Sequence, residues 1–268
     1  MSGTLEFVIL GSGSSGGVPR ADGDWGVCDP ANPLNLRTRC SGLIRRRAYD
    51  GDETTVLIDT APDMRLQTAA AGVRRLDAVL YTHDHADQMN GIDDLRAFFL
   101  KSRVRTPCFC DPRTLGILMR RFGYIFEGDG GYPAICDLHE LPPYGVAFAI
   151  DGPSGPIPVQ TFDQDHGDIQ SVGYRFGDIA YSSDVVGLPE ASFKALEGVK
   201  VWIVDALRDR PHPSHANVET ALEWIARVRP ERAILTNLHI DLDYDALAAR
   251  LPPGVEPAYD GMTISLDL

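Results

Sequence analysis

Runs of alternating or continuous apolar residues, bounded by Gly, Pro, Asp and Ser, recur along the chain and set its predicted elements. FVILGSG, SGLIRRRA and TTVLIDT read as strands, followed by a helix over 63–71 and a further strand in DAVLYT. A helix over 92–100, a short strand in TPCFC and a helix opening near Pro112 come next, with Leu115, Leu118 and Met119 at helical spacing. Residues 127–158 are rich in Gly and Pro and predict loops and short strands rather than a linker between domains. In the last third, VQTFDQ, the hairpin-like VGYRFGDIAYSSD, KVWIVDA and RAILTNL read as strands, with an amphipathic helix over 218–227. The second half thus repeats the make-up of the first. Two strand-rich halves that each carry helices predict an α/β protein of two packed sheets with helices outside them, a four-layer αββα sandwich. At 268 residues the chain reads as one domain over 1–268.

Composition narrows the class of protein. A chain that is 44% hydrophobic and 24% charged is ordinary for a globular fold, and no apolar run approaches the roughly 20 residues that span a bilayer, so no membrane partner is expected. MSGTLEFVILGSGSSGG has no basic stretch before its short apolar run, which predicts a cytoplasmic protein without a signal peptide. Cys28, Cys40, Cys108, Cys110 and Cys136 contain no C-x-x-C pair and predict buried free thiols. The formal charge of −13 repels polyanions and disfavours long nucleic acids as partners. Lys101, Arg103, Arg105, Arg113, Arg120 and Arg121 form a local basic stretch, read as a solvated strand and helix face.

Chemistry concentrates where strands end. In YTHDHADQ the apolar strand runs straight into His83, His85 and Asp87 at alternate positions, and side chains two apart on an extended chain point the same way. Two imidazoles and a carboxylate then converge on one ion, and these are ligands that suit zinc, manganese or iron. Three further strands run into a ligand-type residue: VQTFDQDH at His166, IAYSSD at Asp184 and RAILTNLH at His239. Four such ends can build one centre at a shared sheet edge, with Asp184 the natural carboxylate to bridge two ions. Asp59 and Asp63, in DTAPD, are candidates either to orient a metal-bound imidazole or to cap the helix that starts there, with Arg96 as an ion-pair partner for that cluster. Gly11, Gly13 and Gly16 satisfy G-x-G-x-x-G, but Gly17, Val18 and Pro19 follow where a dinucleotide site would open a helix, so the loop reads as a tight turn.

With these residues in view, T-H-D-H-A-D closely resembles the H-x-H-x-D-H signature of metallo-β-lactamase-fold hydrolases. The opening G-S-G-S-S-G-G-V-P-R, D-T-A-P-D-M-R and G-I-D-D-L-R resemble the branch holding PhnP-type cyclic phosphodiesterases and tRNase Z-like enzymes. The resemblance spans essentially the whole chain. It implies the four-layer metallo-β-lactamase sandwich and one or two divalent ions, zinc or manganese. His83, His85 and His166 would hold one ion, Asp87 and His239 the second, and Asp184 would bridge them. It further implies a small phosphodiester or nucleotide-like substrate, a homodimer, and His215, in S-H-A-N-V-E-T, as the group that contacts phosphate or protonates the leaving group. Asp87 and His215 are thus the catalytic candidates; His212, between Pro211 and Pro213, reads as a loop residue. Two departures stand out. Position 88 is Gln where the signature has a metal-binding His, which puts the second ion in question, and only Cys28 matches the cysteine cluster that carries a structural zinc in PhnP-type enzymes. No arm for gripping tRNA is evident. Thioester or lactone hydrolysis by the same fold, and a non-catalytic metal or nucleotide binder disabled by Gln88, are the competing readings.

Overall fold

The computed structural model describes residues 3–49 and 51–268. Its elements run β1 (Gly3–Gly11), β2 (Ser41–Ala48), β3 (Glu53–Ile58), α1 (Met64–Ala70), β4 (Ala78–Leu80), α2 (Ala86–Met89), α3 (Arg96–Ser102), β5 (Thr106–Cys110), α4 (Pro112–Glu127), β6 (Cys136–Glu140) and β7 (Phe148–Ile150). There follow β8 (Ile157–His166), β9 (Ile169–Phe176), β10 (Ile179–Ser182), α5 (Glu190–Ala195), β11 (Val201–Asp205), α6 (Val218–Val228), β12 (Arg232–Thr236), α7 (Tyr244–Ala248), β13 (Val255–Pro257) and β14 (Thr263–Asp267). One sheet has the order β14-β1-β2-β3-β4-β5-β6 and the other β13-β12-β11-β10-β9-β8-β7.

The period-2 pattern of the strands creates the layers. On β1, Leu5, Phe7 and Ile9 face the space between the sheets, where they meet Tyr174, Tyr181, Ile203 and Ile234 of the second sheet. The alternate residues Val8 and Leu10 pack instead with Leu118 and Ile125 of α4. On β11, Ile203 points inward while Trp202 and Val204 pack against Ile225 of α6 and Leu247 of α7. Strands buried on both faces need helices outside, and the result is the expected four-layer αββα sandwich. Close packing demands glycine at one position of the second sheet. Phe162 of β8 lies across Gly173 of β9, and a Cβ there would sit 2.1 Å from its ring.

Several details differ from the sequence reading. The two sheets do not divide the chain cleanly at its middle, because β14 returns to pair antiparallel with β1, with Phe7 opposite Ile264. The helix expected over 92–100 divides into a 3-10 turn, Ile92–Leu95, and α3. Arg96 pairs with Asp93, 2.8 Å away, rather than with Asp59 or Asp63, because a side chain three residues along the turn is nearer. Asp63 precedes α1 but makes no side-chain cap; it accepts from Arg39 N at 2.9 Å and pairs with its guanidinium. The basic stretch is exposed along its length, as expected, with Arg105 paired to Asp137 and Arg113 to Asp84. All five cysteines are free and buried. Among the described residues no helix is long and apolar enough to cross a membrane.

The glycine loop joins the sheets rather than starting a helix. Gly13 forms bridges to both Arg39 and Leu238, and a Cβ on it would lie 2.9 Å from Arg37 Cβ. Asp260, in the turn before β14, holds this junction: its Oδ1 accepts from Ser12 N and Oγ at 2.9 and 2.8 Å, and its Oδ2 from Thr38 N and Oγ1 at 2.7 and 2.6 Å. Replacing Asp260 with Ala strands four donors, so unfolding in urea is expected to show a loss of about 3 kcal/mol. A loss below about 1 kcal/mol would mean that water replaces the carboxylate freely.

Candidate metal centre

Several candidate side chains stand at or just past strand ends, on segments fixed from behind. The chain leaving β4 is stitched across the sandwich: Tyr174 Oη donates to Tyr81 O at 2.6 Å, and Val172 N to Thr82 O at 2.8 Å. Thr82 carries the next link. Its backbone N and Oγ1 both reach Asp59, at 2.8 Å each, and Oγ1 lies 3.0 Å from His83 Nδ1. A hydroxyl that gives its hydrogen to a carboxylate must accept from the imidazole, so Nδ1 bears hydrogen and His83 Nε2 keeps its lone pair. That Nε2 is buried without a hydrogen-bond partner. His166, the last residue of β8, is fixed likewise by Nδ1, 2.6 Å from Ser214 O, which turns its Nε2 to within 3.2 Å of His85 Nδ1. Between the two histidines of the motif, Asp84 is tied to α4 by Arg113 Nε at 2.7 Å.

The structure brings His83, His85 and His166 together, with one ligand atom of each within 4.8 Å of the others. A second group, within the same limit, unites His166, Asp184 and His215. Asp184 Oδ1 is 3.9 Å from His166 Nε2 and 3.8 Å from His215 Nε2. Asp87 and His239 belong to neither group. The alternation argument fails at Asp87, because His85 is the extended residue before α2 and Asp87 lies in that helix's first turn. His239 Nε2 instead faces Arg20 Nη2 at 2.7 Å. His212 stays in its loop, its Nδ1 3.3 Å from Ser214 N.

Electrostatics suit a cation. Burial lowers His83 to about 3 against the pull of Asp184, and burial and the neighbouring His166 lower His85, so these rings are neutral with free lone pairs. Burial alone would raise Asp184, but His83, His215 and His166 outweigh it and hold the carboxyl at about 2. Burial and the Asp184 charge push Asp87 up to about 6. Burial opposes the charged form of His215, yet Asp205 and Asp184 raise it to about 9. A protonated His215 is a donor rather than a ligand. An orphaned His83 nitrogen in a group with His85 and His166, and an ionised Asp184 beside His166, make a donor set that fits a divalent cation.

Sequence reasoning missed Asp205, whose Oδ2 accepts from His215 Nδ1 at 2.8 Å and from Val185 N at 3.0 Å. Its signal was present: KVWIVDA ends a strand on Asp as IAYSSD does. It also missed the contacts of Thr82 and Arg20. Backbone strain marks the same places. Among the described residues, apart from the helix C-caps Arg103 and Arg229, the positive-φ residues other than glycine are Asp59 (61°), Asp184 (53°) and Asn237 (63°), and the Asn237 amide lies 3.2 Å from His215 Nδ1.

Residues 54–240 match the family described as the beta-lactamase superfamily domain, which covers more than half of the chain. The chain belongs to the β-lactamase superfamily. Within it, a solved structure described as a new diphosphatase from the PhnP family superposes with a TM-score of 0.88 at 31% identity, covering 100% of this chain and 99% of that one. The octanoyltransferase of Porphyromonas gingivalis is 30% identical over 271 residues, 98% of this chain and 52% of its own length. Ribonuclease Z of a Bradyrhizobium species is 31% identical over 128 residues, 45% of this chain and 40% of its own. The chain therefore spans about half or less of the length of these curated relatives. The sandwich is the metallo-β-lactamase fold, in the branch holding the PhnP and RNase Z proteins, and that fold implies divalent metal binding.

The Asp59–Thr82–His83 relay predicts a mutant phenotype. Thr82→Val removes the acceptor for His83 Nδ1–H and is expected to weaken metal binding about 10–100-fold in chelator competition, with the circular dichroism spectrum unchanged. Unaltered affinity would show that the ring is oriented by packing alone.

Proposed function

We propose that this superfamily member is a metal-dependent hydrolase of small nucleotide-type phosphodiesters, cyclic substrates included, with zinc or manganese as the metal. The observation that carries the reading is the meeting of His83, His85 and His166, with His166 also shared by a second group of Asp184 and the Asp205-bound His215. Likeness across the whole chain to a PhnP-family diphosphatase supports phosphorus rather than acyl chemistry. Five free, buried thiols support a reducing, cytoplasmic setting.

When bound, a divalent cation acidifies coordinated water and polarises the phosphoryl oxygen. The chain's own groups do the rest. Asp87, half-buried at the start of α2, takes up a proton from the attacking water. Asp205 holds His215 by Nδ1 and keeps Nε2–H directed at the centre, where it protonates the departing alkoxide. A cavity of about 1080 Å³ is lined by Asp163 and Asp165, on the face of β8 opposite His166, and by Arg113, Tyr144 and Glu140; none of the candidate metal-binding residues lines it. The net charge of −13 favours small substrates over polynucleotides.

Metal-loaded protein is expected to cleave bis-p-nitrophenyl phosphate and to lose that activity in a chelator, while a thioester is turned over far more slowly. Preference for the thioester would overturn the assignment. His215→Ala is expected to lower turnover by about 10²–10⁴-fold with metal content unchanged. Loss of metal and activity together would make His215 a ligand instead.

A further inference from the structure

We infer that the centre holds a single divalent cation, because Gln88 and Arg20 occupy the position that Asp87, His239 and a bridging Asp184 would otherwise offer a second one. The inference rests on reading His83, His85 and His166 as the primary ligands. Its first support is Gln88, which is fully buried and whose Nε2 donates to Asp184 Oδ2 at 3.0 Å. The direction of that amide is not arbitrary. An ionised carboxylate only accepts, so the nitrogen must face it and the oxygen must point away; that oxygen, Oε1, has no hydrogen-bond partner. One carboxylate oxygen of Asp184 is thus already engaged by an N–H, and that amide nitrogen, unlike an imidazole, offers no lone pair to a metal. Turning the amide over would set two oxygens against each other and break a buried, charge-assisted bond.

The second support is independent and lies across the site. Arg20 Nη2 is 2.7 Å from His239 Nε2. A guanidinium is always charged and only donates, so Arg20 faces the Nε2 lone pair, while Nδ1 lies 3.3 Å from both the backbone N and Oδ2 of Asp241. A fixed positive charge at that nitrogen both blocks ligation and repels a second divalent ion. Arg20 therefore supplies, from a loop, the positive charge that a second ion would supply. Asp87 is left as an unligated carboxylate beside the single ion, consistent with its place outside both ligand groups.

The test needs no substrate. Wild-type protein reconstituted with excess zinc or manganese and dialysed is expected to retain one equivalent per chain by elemental analysis. Calorimetric titration should show any further equivalent binding at least about 100-fold more weakly. The Gln88→His/Arg20→Ala variant is expected to retain two. Two tightly held equivalents in the wild type would overturn the inference, as would a folded double variant that still holds one. Should the double variant fail to fold, the wild-type titration decides alone. A protein that holds one ion and cleaves no phosphodiester would leave this inference standing and remove the proposed function.

Discussion

An imidazole held by one nitrogen presents the lone pair of the other in a fixed direction, and the sandwich holds two of the three rings, His83 and His166, in this way. His83 is held through Thr82 by Asp59, and His166 by the carbonyl of Ser214. Neither anchor is local in sequence. Asp59 follows β3 and Thr82 follows β4, parallel neighbours whose register brings the two residues side by side. Ser214 comes from the loop between β11 and α6, in the other sheet. The rings can therefore be aligned only after both sheets have formed and packed. The apolar layer between them, with Phe7, Tyr174 and Tyr181 at its centre, sets the spacing of the donors as well as stabilising the fold.

The strand-then-ligand pattern made the meeting of His83, His85, His166 and Asp184 legible in the sequence, because it reports a physical fact: residues just past parallel strand ends share one rim. Elements with strong periodicity were legible for the same reason. The chain gave no comparable sign of α5 and α7, whose six and five residues are too few to display a helical face. Nor did it show the fate of β14, since which edge a strand joins is settled by packing across the whole chain. Asp87 was misjudged in geometry, because extended alternation ends at His85 and a helical turn begins. The partners of Gln88, Arg20 and Asp205 were out of reach. Each contact spans many residues, and the residue types alone are compatible with an exposed loop.

The strained residues tell a related story. Asp59, Asp184 and Asn237 adopt left-handed backbone angles just past β3, β10 and β12. Asp and Asn tolerate that region better than most residues, and the turn it creates swings the side chain from the sheet plane toward the rim. The cost, of order 1–3 kcal/mol at each, is sustained by the dense hydrogen bonding around these residues.

The return of β14 to the side of β1 has a consequence for biogenesis. Every residue proposed to hold the metal is translated before that strand, yet the turn leading into it carries the carboxylate that fastens the loop after β1. A nascent chain on the ribosome can hold the ligand-bearing segments in rough proximity while the outer edge of its first sheet is still unpaired. Full rigidity, and with it protection of that open edge from pairing with other chains, comes only once the polypeptide beyond residue 260 has emerged.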